Sequence, residues 1–180
     1  MKPNLSVVET KIKLPNVLFY KRPQKNKIAS HQTEFIAFST TGDKNWGELV
    51  TDKTSFKFRD DYSGDILAIN FIKSDKKRRG LGSAMIDFAK NYSKQCGCNG
   101  YLILRADSGV DKDEIPHLFY RKKGFSTLDK KTDKKLDYYI RHNKSATSKD
   151  FSTKIMHYPP IKEKNSFKQL IHDITDKLFF

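Results

Sequence analysis

Apolar and polar positions alternate with two different periods along this chain, and the change of period marks out its elements. Residues 66–72 read Ile-Leu-Ala-Ile-Asn-Phe-Ile, a near-continuous apolar run that suits a strand buried on both faces. Residues 81–92 then place Leu81, Met85, Phe88 and Tyr92 at spacings of four, three and four, with Ala84 and Ala89 alongside, which predicts an amphipathic helix. Upstream, residues 34–40 and 46–51 read as a hairpin around residues 41–45, and Phe56 and Phe58 alternate with polar neighbours, either extending that sheet or lining a cleft. Of the short apolar stretches at residues 5–8 and 17–20, at least one is expected as a strand.

Downstream of the helix, Gly97 and Gly100 supply its stop, and residues 101–104 are the next strand. Pro116 is placed to begin a short helix that buries Ile115, Leu118 and Phe119 and ends at Gly124. Residues 125–128 and 136–141 are expected as two strands around a lysine-rich turn, followed by a polar, mobile stretch at 142–150. Residues 151–158 fit an added strand closed by Pro159 and Pro160. In residues 165–180, Phe167, Leu170, Ile171, Ile174 and Leu178 share one helical face, which either packs back on the core or meets a partner or second copy.

The junction between the apolar run and the first helix carries the chemistry. Lys73-Ser-Asp-Lys-Lys-Arg-Arg-Gly-Leu-Gly-Ser83 joins a strand to a helix, and five of the seven residues from Lys73 to Arg79 are basic. The first turn of a helix has N–H groups without intrahelical partners and carries the positive end of the macrodipole. Gly80 and Gly82 have no Cβ to keep a bulky anion from the main chain, so phosphate is the expected guest. A Walker loop is excluded because neither glycine is followed by Lys. A dinucleotide fingerprint is excluded because the third position after Gly82 is Met85.

Taken with Leu118-Phe-Tyr-Arg-Lys-Lys-Gly-Phe125 about forty residues later, this segment resembles the GCN5-related N-acetyltransferase (GNAT) family. Residues 77–82 match that family's Arg/Gln-x-x-Gly-x-Gly/Ala acetyl-CoA signature with Lys77 in the Arg/Gln place, which keeps a cation but loses the planar guanidinium fork. Residues 119–125 match its Tyr-x-x-x-Gly-Phe helix end, whereas Asp113 and Pro116 stand where the family often has Asn and Ala. The likeness spans roughly residues 64–128, a third of the chain.

The resemblance implies an α/β (α+β) fold with a mixed, mostly antiparallel central sheet flanked by helices, here carrying an added C-terminal strand and helix. It implies acetyl-CoA as acyl donor and direct transfer to a primary amine in a ternary complex. The pyrophosphate would sit on the amides of Arg78, Arg79, Gly80, Gly82 and Ser83, with Lys77 beside it, and the pantetheine arm would run along Phe71, Ile72 and Lys73. Tyr120 would be the acid toward the departing thiolate. Asp65 is the first candidate for general base, with Glu34 and Glu48 as competitors.

Composition adjusts this picture in three ways. Length suits a single domain of 180 residues, with a basic N-terminal segment at 1–30 and a C-terminal extension at 142–180 packing on the core. The 13 Phe and 8 Tyr supply burial that a disordered chain lacks, despite a mean hydropathy of -0.70. Lys and Arg number 35 against 21 acidic residues, a net charge of +14 that attracts polyanions and acidic substrates. The acceptor therefore stays open among a small amine, a protein amine and an aminoacyl-tRNA. A non-catalytic binder of RNA or another polyanion is the alternative reading, and the charge is equally what genome composition would produce.

No apolar run approaches the roughly 20 residues of a membrane span, and the N-terminus lacks a secretory signal's apolar core, so a cytoplasmic protein is expected. Cys96 and Cys98 read as reduced thiols. A zinc site would need two further ligands, so no metal is expected.

Overall fold

A computed structural model describes residues 6–7, 16–22, 32–40, 45–58, 62–108 and 115–158, with backbone only at 6–7, 55–58 and 62–63. Among the described residues are eight strands and three helices. They are β1 (Ser6–Val7), β2 (Val17–Lys21), β3 (Gln32–Ser39), β4 (Trp46–Phe58), β5 (Tyr62–Ser74), α1 (Leu81–Gln95), β6 (Leu102–Ala106), α2 (His117–Lys122), β7 (Ser126–Thr127), α3 (Lys130–Arg141) and β8 (Lys154–Tyr158). The fold is mixed α+β with mostly antiparallel strands. The amphipathic helix expected at 165–180 lies outside the described residues. The chain forms two compact units, one of residues 1–55 and 64–100, the other of 56–63 and 101–180.

The first unit is an antiparallel sheet with strands in the order β1-β2-β3-β4-β5, against which α1 packs. The hairpin register sets Phe35 opposite Leu49 and Phe38 opposite Trp46. Alternation then sends Phe35, Ala37 and Leu49 into the core and leaves Phe38 and Trp46 exposed. Helix α1 buries Leu81, Met85, Ile86, Phe88 and Ala89. Its Phe88 ring stacks on Phe19 with centroids 4.0 Å apart and meets Phe35 edge-on at 4.8 Å. The central apolar run keeps Ile66, Leu67, Ala68 and Ile69 buried, as a strand covered on both faces requires.

Gly47 is the closest approach in this unit. A Cβ there would lie 2.6 Å from the backbone oxygen of Lys73 and 2.9 Å from Met85 Cε. The methionine tail can move, but the carbonyl belongs to β5 and cannot. Gly47→Ala is therefore expected to cost about 2 kcal/mol or more and to lower the thermal midpoint by roughly 4–8 °C. Thermal unfolding followed by circular dichroism measures this, and an unshifted midpoint would mean that the two strands part easily at this point.

The second unit carries β8 between β6 and β7, antiparallel to both. The expected C-terminal strand is thus the middle strand of this group. Leu102, Ile103 and Leu104 on β6, Met156 on β8, Phe125, Leu136 and Phe151 are all buried. The sequence pattern misassigned two features. Residues 136–141 are not a strand: they are the second half of α3, and the expected lysine-rich turn is its first half. The Asp129 carboxylate caps that helix, accepting from Lys131 N at 2.9 Å and Thr132 N at 3.3 Å. Asp133 and Asp137, one helical turn apart, both reach Arg121 of α2, with the Asp137 contacts bidentate at 2.7 and 2.8 Å. The guanidinium holds the Asp137 carboxyl below its ordinary range. The stretch at 142–150 is likewise built, since Asp150 accepts from Tyr139 Oη at 2.7 Å and from Thr147 N at 2.9 Å.

Around helix α2, Ile115 is buried as expected, but His117 and Tyr120 turn inward in place of Leu118 and Phe119, which are only half-buried. His117 Nε2 lies 3.0 Å from the Ser152 carbonyl, an acceptor, so that nitrogen carries the proton. Nδ1 is buried without a partner, and burial holds the imidazole below its usual pKa. A proton added there would be a buried, unanswered charge. The unfolded histidine takes that proton more readily than the folded one, so stability present above pH ~6.5 is lost as the pH falls below that value. His117→Gln should flatten this acid slope in thermal melts taken between pH 7.5 and 5. An equal slope in the variant would assign it to other groups.

Candidate active site

Strand β5 ends at Ser74, and the next six residues lead into α1 through two left-handed positions, Arg78 (φ 61°) and Gly80 (φ 83°). Glycine adopts that conformation without strain, whereas Arg78 does so at a cost, which is how a chain turns its amides sharply within a short loop. Gly80 is the N-cap of α1. No side chain caps this end and the first turn holds no acidic residue. The first amides of α1 thus have neither of the usual substitutes for an anion. A Cβ built on Gly80 would meet nothing within 4 Å, so the space over the turn is open. Residues 75–80 are all exposed. These features fit a diphosphate.

The loop is anchored on its strand side. Trp46 N donates to Asp75 Oδ1 and Asp75 N to the Trp46 carbonyl, both at 3.0 Å. Asn45 Oδ1 accepts from Lys76 N at 3.3 Å, and Ser74 Oγ donates to the Lys76 carbonyl at 2.9 Å. Asn45 is buried and its Nδ2 has no acceptor. Neither Asn45 nor Trp46 stood out in the sequence, because anchoring by the preceding hairpin depends on register alone.

The sequence-designated residues are spread over several places. Lys77, Arg78, Arg79, Gly80, Gly82 and Ser83 come together in the turn and the first turn of α1. Phe71, Ile72 and Lys73 lead into it along β5, with Phe71 45% exposed. Asp65 is eight residues further back on the same strand, about 26 Å along an extended chain from Lys73. There its Oδ2 lies 2.6 Å from Lys53 Nζ. Glu34 and Glu48 flank Arg22, each 3.2 Å from a different nitrogen of its guanidinium. All three base candidates are thus engaged by cations.

In the second unit, Tyr120 lies on α2 at the position its motif assigns. Phe125 N donates to the Tyr120 carbonyl at 3.1 Å, and Gly124 takes the left-handed conformation (φ 86°) that closes the helix. The Tyr120 ring packs against Phe119 and Phe125 with centroids 5.2 and 5.9 Å apart. Burial pushes its phenol up to about 12, so it stays protonated throughout the physiological range. Among the described residues no three His, Cys, Asp or Glu side chains are grouped to hold a metal. No helix among them is long and apolar enough to cross a membrane.

No protein-family profile matches the sequence, and no curated protein matches it. Among solved structures, the chain is similar to one in "The crystal structure of KacTA-DNA complex", at a TM-score of 0.41 and 16% identity over 79% of this chain and 74% of that one.

Proposed function

We propose that the protein is an acetyl-CoA-dependent N-acetyltransferase that passes the acetyl group to a primary amine by direct attack in a ternary complex. The observation that carries this reading is the β5–turn–α1 unit: an uncapped helix N-terminus without acidic residues, two left-handed turn residues and five cations among the seven residues 73–79. The amides of residues 78–83 bind the pyrophosphate, and the end of β5 at Phe71, Ile72 and Lys73 guides the pantetheine arm. Support also comes from the motif resemblance, which puts the second motif at the proper separation.

The chemistry asks little of the chain. The amine attacks the thioester carbonyl, the oxyanion is stabilised by a donor, and side-by-side binding supplies much of the barrier reduction. The motif resemblance assigns Tyr120 the role of donor toward the departing thiolate in this reading. Burial holds that phenol up to about 12, which makes it a weak proton donor toward a thiolate. Tyr120 therefore acts as a hydrogen-bond donor to developing negative charge, with the proton reaching sulfur as the amine releases its own. Asp65, Glu34 and Glu48 are each paired to a cation, so this reading assigns none of them as the base, and the amine proton passes through ordered water.

A thiol-release assay with acetyl-CoA and a panel of small amines, peptides and aminoacyl-tRNA tests the reading. Turnover with at least one acceptor is expected. No release with any of them, combined with tight RNA binding, would favour the polyanion binder. The +14 charge sets a second expectation. If the acceptor is tRNA-linked, apparent affinity should fall steeply between low and moderate salt as counterions are released, whereas a neutral amine gives almost no slope. Acetylation confined to small amines with a flat salt dependence would return the charge to solubility.

A further inference from the structure

The end of α1 holds a cluster that acetyl transfer does not use. Cys96 caps the helix and Cys98 follows across Gly97. The two sulfurs are 3.6 Å apart, with Cys98 buried and Cys96 half-exposed. Lys53 of β4 reaches the backbone of the turn that carries them: its Nζ donates to the Cys96 carbonyl at 2.8 Å, is held by Asp65 at 2.6 Å, and would lie 3.6 Å from a Cβ on Gly97. An ammonium is thus fixed against the Cys-Gly-Cys turn by a carboxylate from the neighbouring strand. Gly97 is left-handed (φ 87°), and with no side chain it lets the two cysteines pivot.

We propose that Cys96 and Cys98 form a reversible dithiol–disulfide site that reacts with low-molecular-weight disulfides, Cys96 attacking and Cys98 resolving. In the first step the Cys96 thiolate attacks one sulfur of the oxidant R–S–S–R. A Cys96–S–S–R bond forms, the oxidant's bond breaks, and R–S⁻ leaves. In the second step Cys98 loses its proton to water and attacks the Cys96 sulfur, forming the Cys96–Cys98 disulfide and expelling the second R–S⁻. Two protein thiols are oxidised and one external disulfide is reduced to two thiols. Closing the bond needs an approach of about 1.5 Å from the present separation.

The division of labour follows from the surroundings. Cys96 is reachable, and in its thiol form it donates to the Ser93 carbonyl at 3.5 Å. As a thiolate it accepts from the Cys98 thiol and gains from Lys53, which together draw it down to about 7, while the hydrogen bond to Cys96 and then burial push Cys98 up. Once Cys96 is in a mixed disulfide its charge is gone, the hold on the Cys98 proton relaxes, and Lys53 favours the Cys98 thiolate in turn. A thiol drawn below its ordinary range is more ionised at neutral pH, and its lower intrinsic nucleophilicity offsets part of that gain.

The reduced full-length protein is incubated with oxidised glutathione, quenched in acid, alkylated and weighed by intact-mass spectrometry. Loss of two hydrogens with both cysteines protected from alkylation is expected, at a rate half-maximal near pH 7. Cys98→Ser should stop at one bound glutathione. Cys96→Ser should react at least tenfold more slowly, and Lys53→Met should move the pH midpoint upward. The proposal is overturned if the unmodified protein stays a dithiol or retains a stable glutathione adduct, if its midpoint lies at or above pH 8.5, or if Cys96→Ser reacts as fast as the parent. The measurements on the parent protein decide the matter even where a variant does not fold. None of them depends on acetyl transfer.

Discussion

Gly82→Asp is expected to abolish acetyl-CoA binding. Gly82 is the second residue of α1, and Gly80, Leu81, Gly82 and Ser83 span the uncapped turn. An aspartate there adds a Cβ and a carboxylate beside amides that, in the proposed complex, meet the pyrophosphate. The new carboxylate competes for the same donors and repels the phosphates. The substitution should not harm folding, because a negative charge in the first turn of a helix that now lacks one is worth about 0.3–1 kcal/mol in its favour. Calorimetric titration with CoA should therefore lose its signal while the thermal midpoint holds or rises. An unchanged affinity would put the cofactor elsewhere on the chain.

Tyr120→Phe is expected to lower kcat by on the order of 10²-fold or more, with acetyl-CoA affinity nearly intact. The hydroxyl is the only atom removed, and a donor that meets charge developing on sulfur acts in the transition state rather than in ground-state binding. The ring, packed against Phe119 and Phe125, keeps its contacts in the variant. Because burial holds the phenol up to about 12, acetyl transfer by the parent protein should show no fall in rate as pH rises through 10, where an ordinary tyrosine would ionise. Wild-type turnover by the phenylalanine variant would make Tyr120 a packing residue. A rate loss centred on pH 10 would mean that its hydroxyl is solvated during turnover.

Local pattern and local chemistry made much of the fold legible. The β3–β4 hairpin, the buried run of β5 and the buried positions Leu81, Met85 and Phe88 of α1 follow from side-chain period, because each element buries one face or both against a continuous core. The end of α2 was legible for a different reason: at Gly124 the chain takes a backbone angle that few residues other than glycine adopt. Period failed at α3. Eight of its twelve residues are Lys, Arg, Asp or Thr, and of its apolar ones only Leu136 is buried, so the run Leu-Asp-Tyr-Tyr-Ile looked strand-like. The cap at Asp129 was readable in principle, and its weight depended on Arg121 gathering Asp133 and Asp137 from a helix face.

For the candidate site, the sequence by itself determined the residue types that chemistry requires: a glycine-rich basic turn between strand and helix, and a tyrosine four residues before a glycine. Only the tertiary structure decided which partners those residues have. It tied the turn to Asn45 and Trp46, set Asp65 against Lys53, and held that same ammonium at the Cys96 carbonyl. Such pairings join residues 12 to 43 positions apart, as between Lys53 and its two partners. Their strength depends on strand register, burial and distance, none of which is encoded in the local order of side chains.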